Sequence, residues 1–104
     1  MIKVSVLYPF VEGMRFDMAY YVGQHLPLVQ RLVGDALLRY EVDEGLSGAA
    51  PGSSPTYRAA VHMYYASTDS FYAAFGPHGK EIMKDVANYT DARPLTQISR
   101  VVES

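Results

Sequence analysis

Hydrophobic and polar residues alternate from Ile2 to Pro9. Ile2, Val4, Val6 and Tyr8 fall on one face and Lys3, Ser5 and Leu7 on the other, the two-residue period of a β-strand. The period then changes. From Phe16 to Gly34 the apolar positions Met18, Val22, Leu26, Val29 and Val33 form one helical stripe, and His25 lies inside it. Asp17 is placed to cap this helix, Phe16 and Tyr21 have the spacing of a hydrophobic staple, and Gly34 closes the element. Pro27 breaks the pattern from within. It lacks the N–H that would reach the Gly23 carbonyl and its ring crowds that carbonyl, at a cost of about 3 kcal/mol. The expectation is a kinked or loosened turn beside His25. One reading is a tolerated bend in a surface helix; the other is a bend that opens space above the sheet, with the imidazole directed into it.

Alternation returns at Ala36–Glu44, with Leu38, Tyr40 and Val42 opposite Arg39, Glu41 and Asp43, which suits an edge strand. Tyr57–Ala66 has no plainly polar face and reads as a central strand. Between them Gly45–Pro55 is rich in turn residues, either a plain hairpin loop or a flap over a pocket mouth. Ser67 or Thr68 caps a second helix. Its stripe starts at Phe71 and Phe75, breaks at Gly76-Pro77-His78-Gly79 and resumes at Ile82 and Val86, giving two short helices or one broken one. Pro94–Val102 is the last strand, with Leu95 and Val101 on one face and Ile98 and Val102 on the other.

The order β-α-β-β-α-β predicts a single α+β domain of ferredoxin-like type. It has a four-stranded antiparallel sheet, first and third strands central, with both helices on one face. The uncovered face would carry Leu7, Ala60, His62, Tyr64, Ile98 and Val102, too apolar for water. A second copy joined sheet to sheet, a homodimer, is the expected cover.

Composition narrows the function. With 104 residues, nearly half hydrophobic and a net charge of −2, the chain has a core and no basic stripe for nucleic acid. No cysteine is present, so thiolate chemistry and Cys-based zinc sites are excluded. No run approaches the roughly 18 apolar residues of a membrane span and none resembles a signal peptide, so a cytoplasmic protein is expected. Nine tyrosines and no tryptophan suit an apolar pocket with a few polar points, or an interface.

The stretches VSVLYP, RFD-x-x-YY-x-x-x-HLPLV and DVANYTD are similar to those of the EthD family, and the likeness spans nearly the whole chain. Its most specific part falls on Phe16, Asp17, Tyr20, Tyr21, His25 and Pro27. The resemblance implies a ferredoxin-like subunit that pairs into a dimeric α+β barrel. The superfamily includes cofactor-free monooxygenases, polyketide cyclases, muconolactone isomerases and haem-degrading enzymes, so the resemblance leaves the reaction open.

The residues suggest acid–base chemistry. His25 is the candidate base: an imidazole titrating near neutrality can take a proton from a carbon beside a carbonyl, or from a phenol. Tyr8 and Tyr65, on the sheet face beneath the first helix, are the expected phenolic partners, able to hold an oxyanion. Tyr21, Val22, Met63 and Phe75 would line the pocket for a small hydrophobic ligand, joined by His78 if the second helix keeps its register; otherwise His78 is an exposed loop residue. His62 belongs to the outer sheet face. The three histidines lack the short spacing of metal-ligand pairs, so no metal and no cofactor are expected; a lone axial haem ligand is the one option left open. Asp85 and Asp91 read as carboxylates at a helix end and in a loop, without a role. An isomerase, cyclase or monooxygenase-like oxidoreductase and a non-catalytic binding homodimer both fit.

Overall fold

The computed structural model describes residues 1–104. Four strands, β1 (Ile2–Pro9), β2 (Arg39–Glu44), β3 (Tyr57–Tyr65) and β4 (Leu95–Arg100), form one antiparallel sheet in the order β2-β3-β1-β4. The two longest strands are central, and both helical arms cover one face: the ferredoxin-like architecture. The β1–β3 register places Ile2 opposite Tyr65, Val4 opposite Met63 and Tyr8 opposite Ala59. Residues directly opposite share a face, so Val4, Tyr8, Ala59, Val61, Met63 and Tyr65 form the buried floor under the helices.

Pro27 shapes the first arm as its chemistry requires. A short helix α1 (Met18–Tyr20) runs into a π-helical turn at Tyr21–His25, and α2 (Leu26–Val33) continues from there. The Leu26 N–H reaches back five residues to the Tyr21 carbonyl, and Pro27 falls in the first turn of α2, where it has no helical bond to lose. Asp17 caps the arm by accepting from the Tyr20 N–H at 3.0 Å, and the Phe16 and Tyr21 rings meet at 5.2 Å, the expected staple. Gly34 ends it at φ +65°, a conformation that costs other residues dearly. The wide turn carries Tyr21 and His25 inward and leaves Val22 half exposed.

The second arm is one broken helix. It consists of α3 (Thr68–Phe75), a 3₁₀ turn at Gly76–His78, α4 (Gly79–Asp85) and a closing 3₁₀ turn at Val86–Asn88. Ser67 caps it through Ser70 N–H. A bridge between Phe16 and Thr90 ties the entrance of the first arm to the exit of the second. The Asp17 N–H donates to the Tyr89 carbonyl at 2.7 Å in the same place.

Two expectations about the open face are corrected, and the loop between β2 and β3 fits the plainer of its two readings. Ile98 pairs with Val4 and therefore faces the core, not the open side. Val102 lies beyond β4 and is exposed. The loop from Gly45 to Thr56 lies beside the open face, near Leu7, Ala60 and His62, and contributes nothing to the space under the helices. That open face carries Lys3, Ser5, Leu7, Ala60, His62 and Tyr64 on its central strands, flanked by Arg39, Glu41 and Asp43 on β2. His62 bridges Ser5 Oγ at 2.8 Å and Asp43 at 3.2 Å, and Arg39 stacks 4.0 Å over the Tyr64 ring. No helix is long and apolar enough to cross a membrane.

Candidate functional site

Between the sheet and the two arms lies a cavity of about 200 Å³. Its floor is Val4, Val6, Tyr8, Val61 and Met63; the first arm supplies Tyr21, His25, Leu26 and Val29, and the second Phe71, Phe75, Ile82, Met83 and Val86. Pro94 and Thr96 complete it along the β4 edge. Met83 and Thr96 are the exposed members of this lining, so the way in lies between α4 and β4.

The polar feature of this wall is His25, only 4% exposed. Its Nδ1 lies 2.9 Å from Asp85 Oδ2 at the end of α4. The other carboxylate oxygen, Oδ1, accepts from the Tyr20 hydroxyl at 2.8 Å and from Asn88 Nδ2 at 2.9 Å. With Oδ1 occupied, Oδ2 is left to receive the His25 Nδ1–H. That hydrogen bond selects the tautomer whose Nε2 carries a lone pair. Nε2 has no protein partner, and His25 is part of the cavity wall.

The electrostatics keep the pair in this state at neutral pH. Burial pulls the His25 imidazole below its ordinary value, outweighing the upward pull of Asp85, so the ring is neutral. Burial works to raise the Asp85 carboxyl, but the hydrogen bonds from His25, Asn88 and Tyr20 outweigh it and hold it below the usual carboxylate value. Tyr20 is pushed up, first by its hydrogen bond to the Asp85 carboxylate.

Beside the dyad stands a cluster of phenols. The Tyr8 and Tyr89 hydroxyls share a short hydrogen bond of 2.6 Å, and the Tyr89 ring tilts against His25 at 4.6 Å between centroids. Tyr21 stacks on His25 at 5.6 Å, and its buried hydroxyl has no hydrogen-bond partner. Burial raises all three phenols, so each is a neutral donor across the physiological range.

The structure therefore brings His25, Tyr8, Tyr21, Met63 and Phe75 around one space. It does not bring Tyr65, Val22 or His78 there. Tyr65 lies opposite Ile2, six residues along the sheet from Tyr8, or about 20 Å away. It packs on Phe71 at 5.1 Å with its hydroxyl buried and unpartnered, and burial pushes its pKa up to about 12. Val22 is turned outward because the π turn advances more residues per revolution than the 3.6 assumed for the stripe. His78 sits in the 3₁₀ turn, where the helix loses its register, and does not line the cavity.

Two residues of the site lay outside the sequence expectations, Asp85 and Tyr89. A signal for both existed. Ile82, Asp85, Val86 and Tyr89 share one helical stripe, so Asp85 was a lone charge on an apolar face, as His25 was in the first arm. No three histidine, aspartate or glutamate side chains converge as a metal site requires.

The EthD domain family model matches residues 15–93. An EthD-like protein from Ralstonia eutropha JMP134 is 48% identical, with a TM-score of 0.95 over 99% of this chain and 93% of that one. An ethyl tert-butyl ether degradation (EthD) family protein from Bacillus halodurans C-125 is 23% identical, with a TM-score of 0.72 over 96% of this chain and 97% of that one. A dimeric ferredoxin-like protein of unknown function from Thermobifida fusca YX has the same fold at 18% identity, with a TM-score of 0.60 over 93% and 87% of the two chains. No curated protein matches the chain in sequence.

Proposed function

The chain belongs to the EthD family, and on that premise we propose that it is a cofactor-free acid–base enzyme acting on a small hydrophobic carbonyl or phenolic compound. One observation carries the reading. A neutral imidazole, with its Nδ1–H donated to a partly buried carboxylate, belongs to the wall of an otherwise apolar cavity. A histidine kept only for packing has no need of an ionised partner that is itself held by two further donors. As general base, His25 Nε2 removes a proton from a carbon next to a carbonyl, or from a phenol, and Asp85 stabilises the resulting imidazolium. Tyr8 is the phenol of the floor assigned to the developing oxyanion, with Tyr89 behind it as hydrogen-bond partner. The chemistry fits isomerisation, cyclisation or oxygenation.

We further propose that the working form is a homodimer joined through the open sheet faces. The dimeric ferredoxin-like relative and the central Leu7, Ala60 and Tyr64 support this pairing.

Proton exchange tests the reading. Cyclic ketones, lactones and phenols are incubated in D₂O with wild type and with His25→Ala, and loss of the acidic C–H signals is followed by ¹H NMR. Wild type should accelerate exchange of at least one compound, and His25→Ala should lose it while still binding. Equal binding with no exchange by either protein would leave a non-catalytic binding dimer.

A further inference from the structure

We propose that the substrate of this cavity is an uncharged, single-ring molecule, with its proton-yielding end at His25 and its apolar remainder toward Met83, and that carboxylates are excluded. The proposal rests on the acid–base reading and names the ligand class for the same site.

Charge balance comes first. Thirteen of the 16 residues lining the cavity are hydrophobic, and none is Lys, Arg, Asp or Glu. An anion entering it would lose hydration and need a counter-charge. The one lining side chain that can become cationic is His25, and its Nδ1 already faces Asp85 Oδ2 at 2.9 Å. With His25 neutral and Asp85 ionised the pair already carries one negative charge, so a bound carboxylate would bring a second, unless His25 took up a proton and ceased to be a base.

Volume comes second. A dry cavity of about 150 Å³ is enough for benzene, whereas pockets for drug-sized ligands begin near 300 Å³. A space of about 200 Å³ holds one ring with small substituents. Orientation follows from exposure. His25 is buried at one end, while Met83, 54% exposed, stands at the entrance.

The charge balance also bears on the reaction. When Nε2 takes the proton, the C–H bond breaks and its electron pair passes to the carbonyl oxygen as an enolate. No further cation is present to keep that anion. The balanced course returns the same proton from Nε2 to another carbon of the substrate, which moves the double bond and leaves a neutral product. This favours isomerisation or ring closure over a route that accumulates the anion for reaction with oxygen.

Matched ligands test the proposal. The probes are 3-cyclohexenone, 3-oxocyclohexanecarboxylate, its methyl ester, and a two-ring decalone. Dissociation constants are read from methyl NMR shifts of Met63 and Met83, with proton exchange and double-bond migration followed in parallel. The ketone and the ester should bind, and the carboxylate should bind about a hundredfold more weakly than the bulkier ester. The decalone should not enter. Thr96→Arg, at an exposed position on the rim, should recover much of the carboxylate's affinity. A carboxylate bound within tenfold of its ester, a decalone bound as well as the single ring, or no binding of any neutral ring would overturn the proposal. Binding with the expected selectivity but no proton exchange would overturn the acid–base reading and leave the ligand class standing.

Discussion

Asp85→Asn removes one charge from the site and changes little else in shape. The carboxylate receives three hydrogen bonds, from His25 at 2.9 Å, Tyr20 at 2.8 Å and Asn88 at 2.9 Å. An asparagine keeps one acceptor oxygen, which Tyr20 and Asn88 can still share, and presents an NH₂ group to His25. That group donates and does not accept, so it selects the opposite imidazole tautomer, with the proton on Nε2 and no lone pair for the substrate. Replacing the orienting aspartate of a catalytic triad by asparagine costs about 10⁴ in kcat for the same reason. A general base alone contributes about 10²–10⁴, so a loss in that range is expected here, with ligand affinity changed less than threefold, or about 0.6 kcal/mol. One charge-assisted hydrogen bond to a mostly buried group is worth about 1.5 kcal/mol net. For a chain of this length each kcal/mol moves Tm by about 4–5 °C, so a fall of about 7 °C should accompany the loss. The assay pairs the exchange rate with ¹⁵N NMR of His25, which distinguishes the tautomers directly. A variant that kept Nδ1–H and exchanged within threefold of wild type would refute the role given to Asp85.

Acidity gives a second test. His25 is depressed in the folded state, so the unfolded chain binds more protons there; this stability is complete above the unfolded value near 6.5 and declines as pH falls toward the folded value. Asp85 is also depressed, so its contribution disappears at still lower pH, as pH falls through its folded value. Denaturant melts from pH 8 to 4 should show this decline, and His25→Leu should flatten its upper part; a wild-type profile flat between pH 6.5 and 5 would count against a buried neutral imidazole. Tyr65→Phe removes a buried hydroxyl with no partner, so stability should stay level or rise by up to about 1 kcal/mol, with exchange activity unchanged; an activity loss above tenfold would restore Tyr65 to the site. Val22→Gln should cost less than about 0.5 kcal/mol by chemical denaturation, because the side chain is half exposed, whereas a regular α-helical stripe would make the change expensive. Leu7→Asp, in the middle of the open face, should shift the protein from dimer to monomer in light scattering; a wild type already monomeric at micromolar concentration would end the sheet-to-sheet pairing.

Strand and helix order were legible from the sequence because they depend on local period. Alternation at Ile2–Pro9 and Tyr57–Tyr65 and the capped stripe after Asp17 are properties of neighbouring residues, and the ferredoxin-like topology follows from their order. The disturbance at Pro27 was also legible, since a missing N–H is a local fact. Its outcome was not: a π turn and a simple kink both satisfy Pro27, yet only the π turn places Tyr21 and His25 inward and Val22 outward. Tertiary structure decided the partners of His25. Alternation put Tyr8 and Tyr65 on one face, but the distance between them along the strand counts as much as the shared face, and register holds Tyr65 at the far end opposite Ile2. Asp85 and Tyr89 lie 60 and more residues from His25 in the chain, and they reach it only because the exit of the second arm is bridged to the entrance of the first through Phe16 and Thr90. Local chemistry marked the base. Packing between distant segments supplied the carboxylate that orients it and the cavity that it serves.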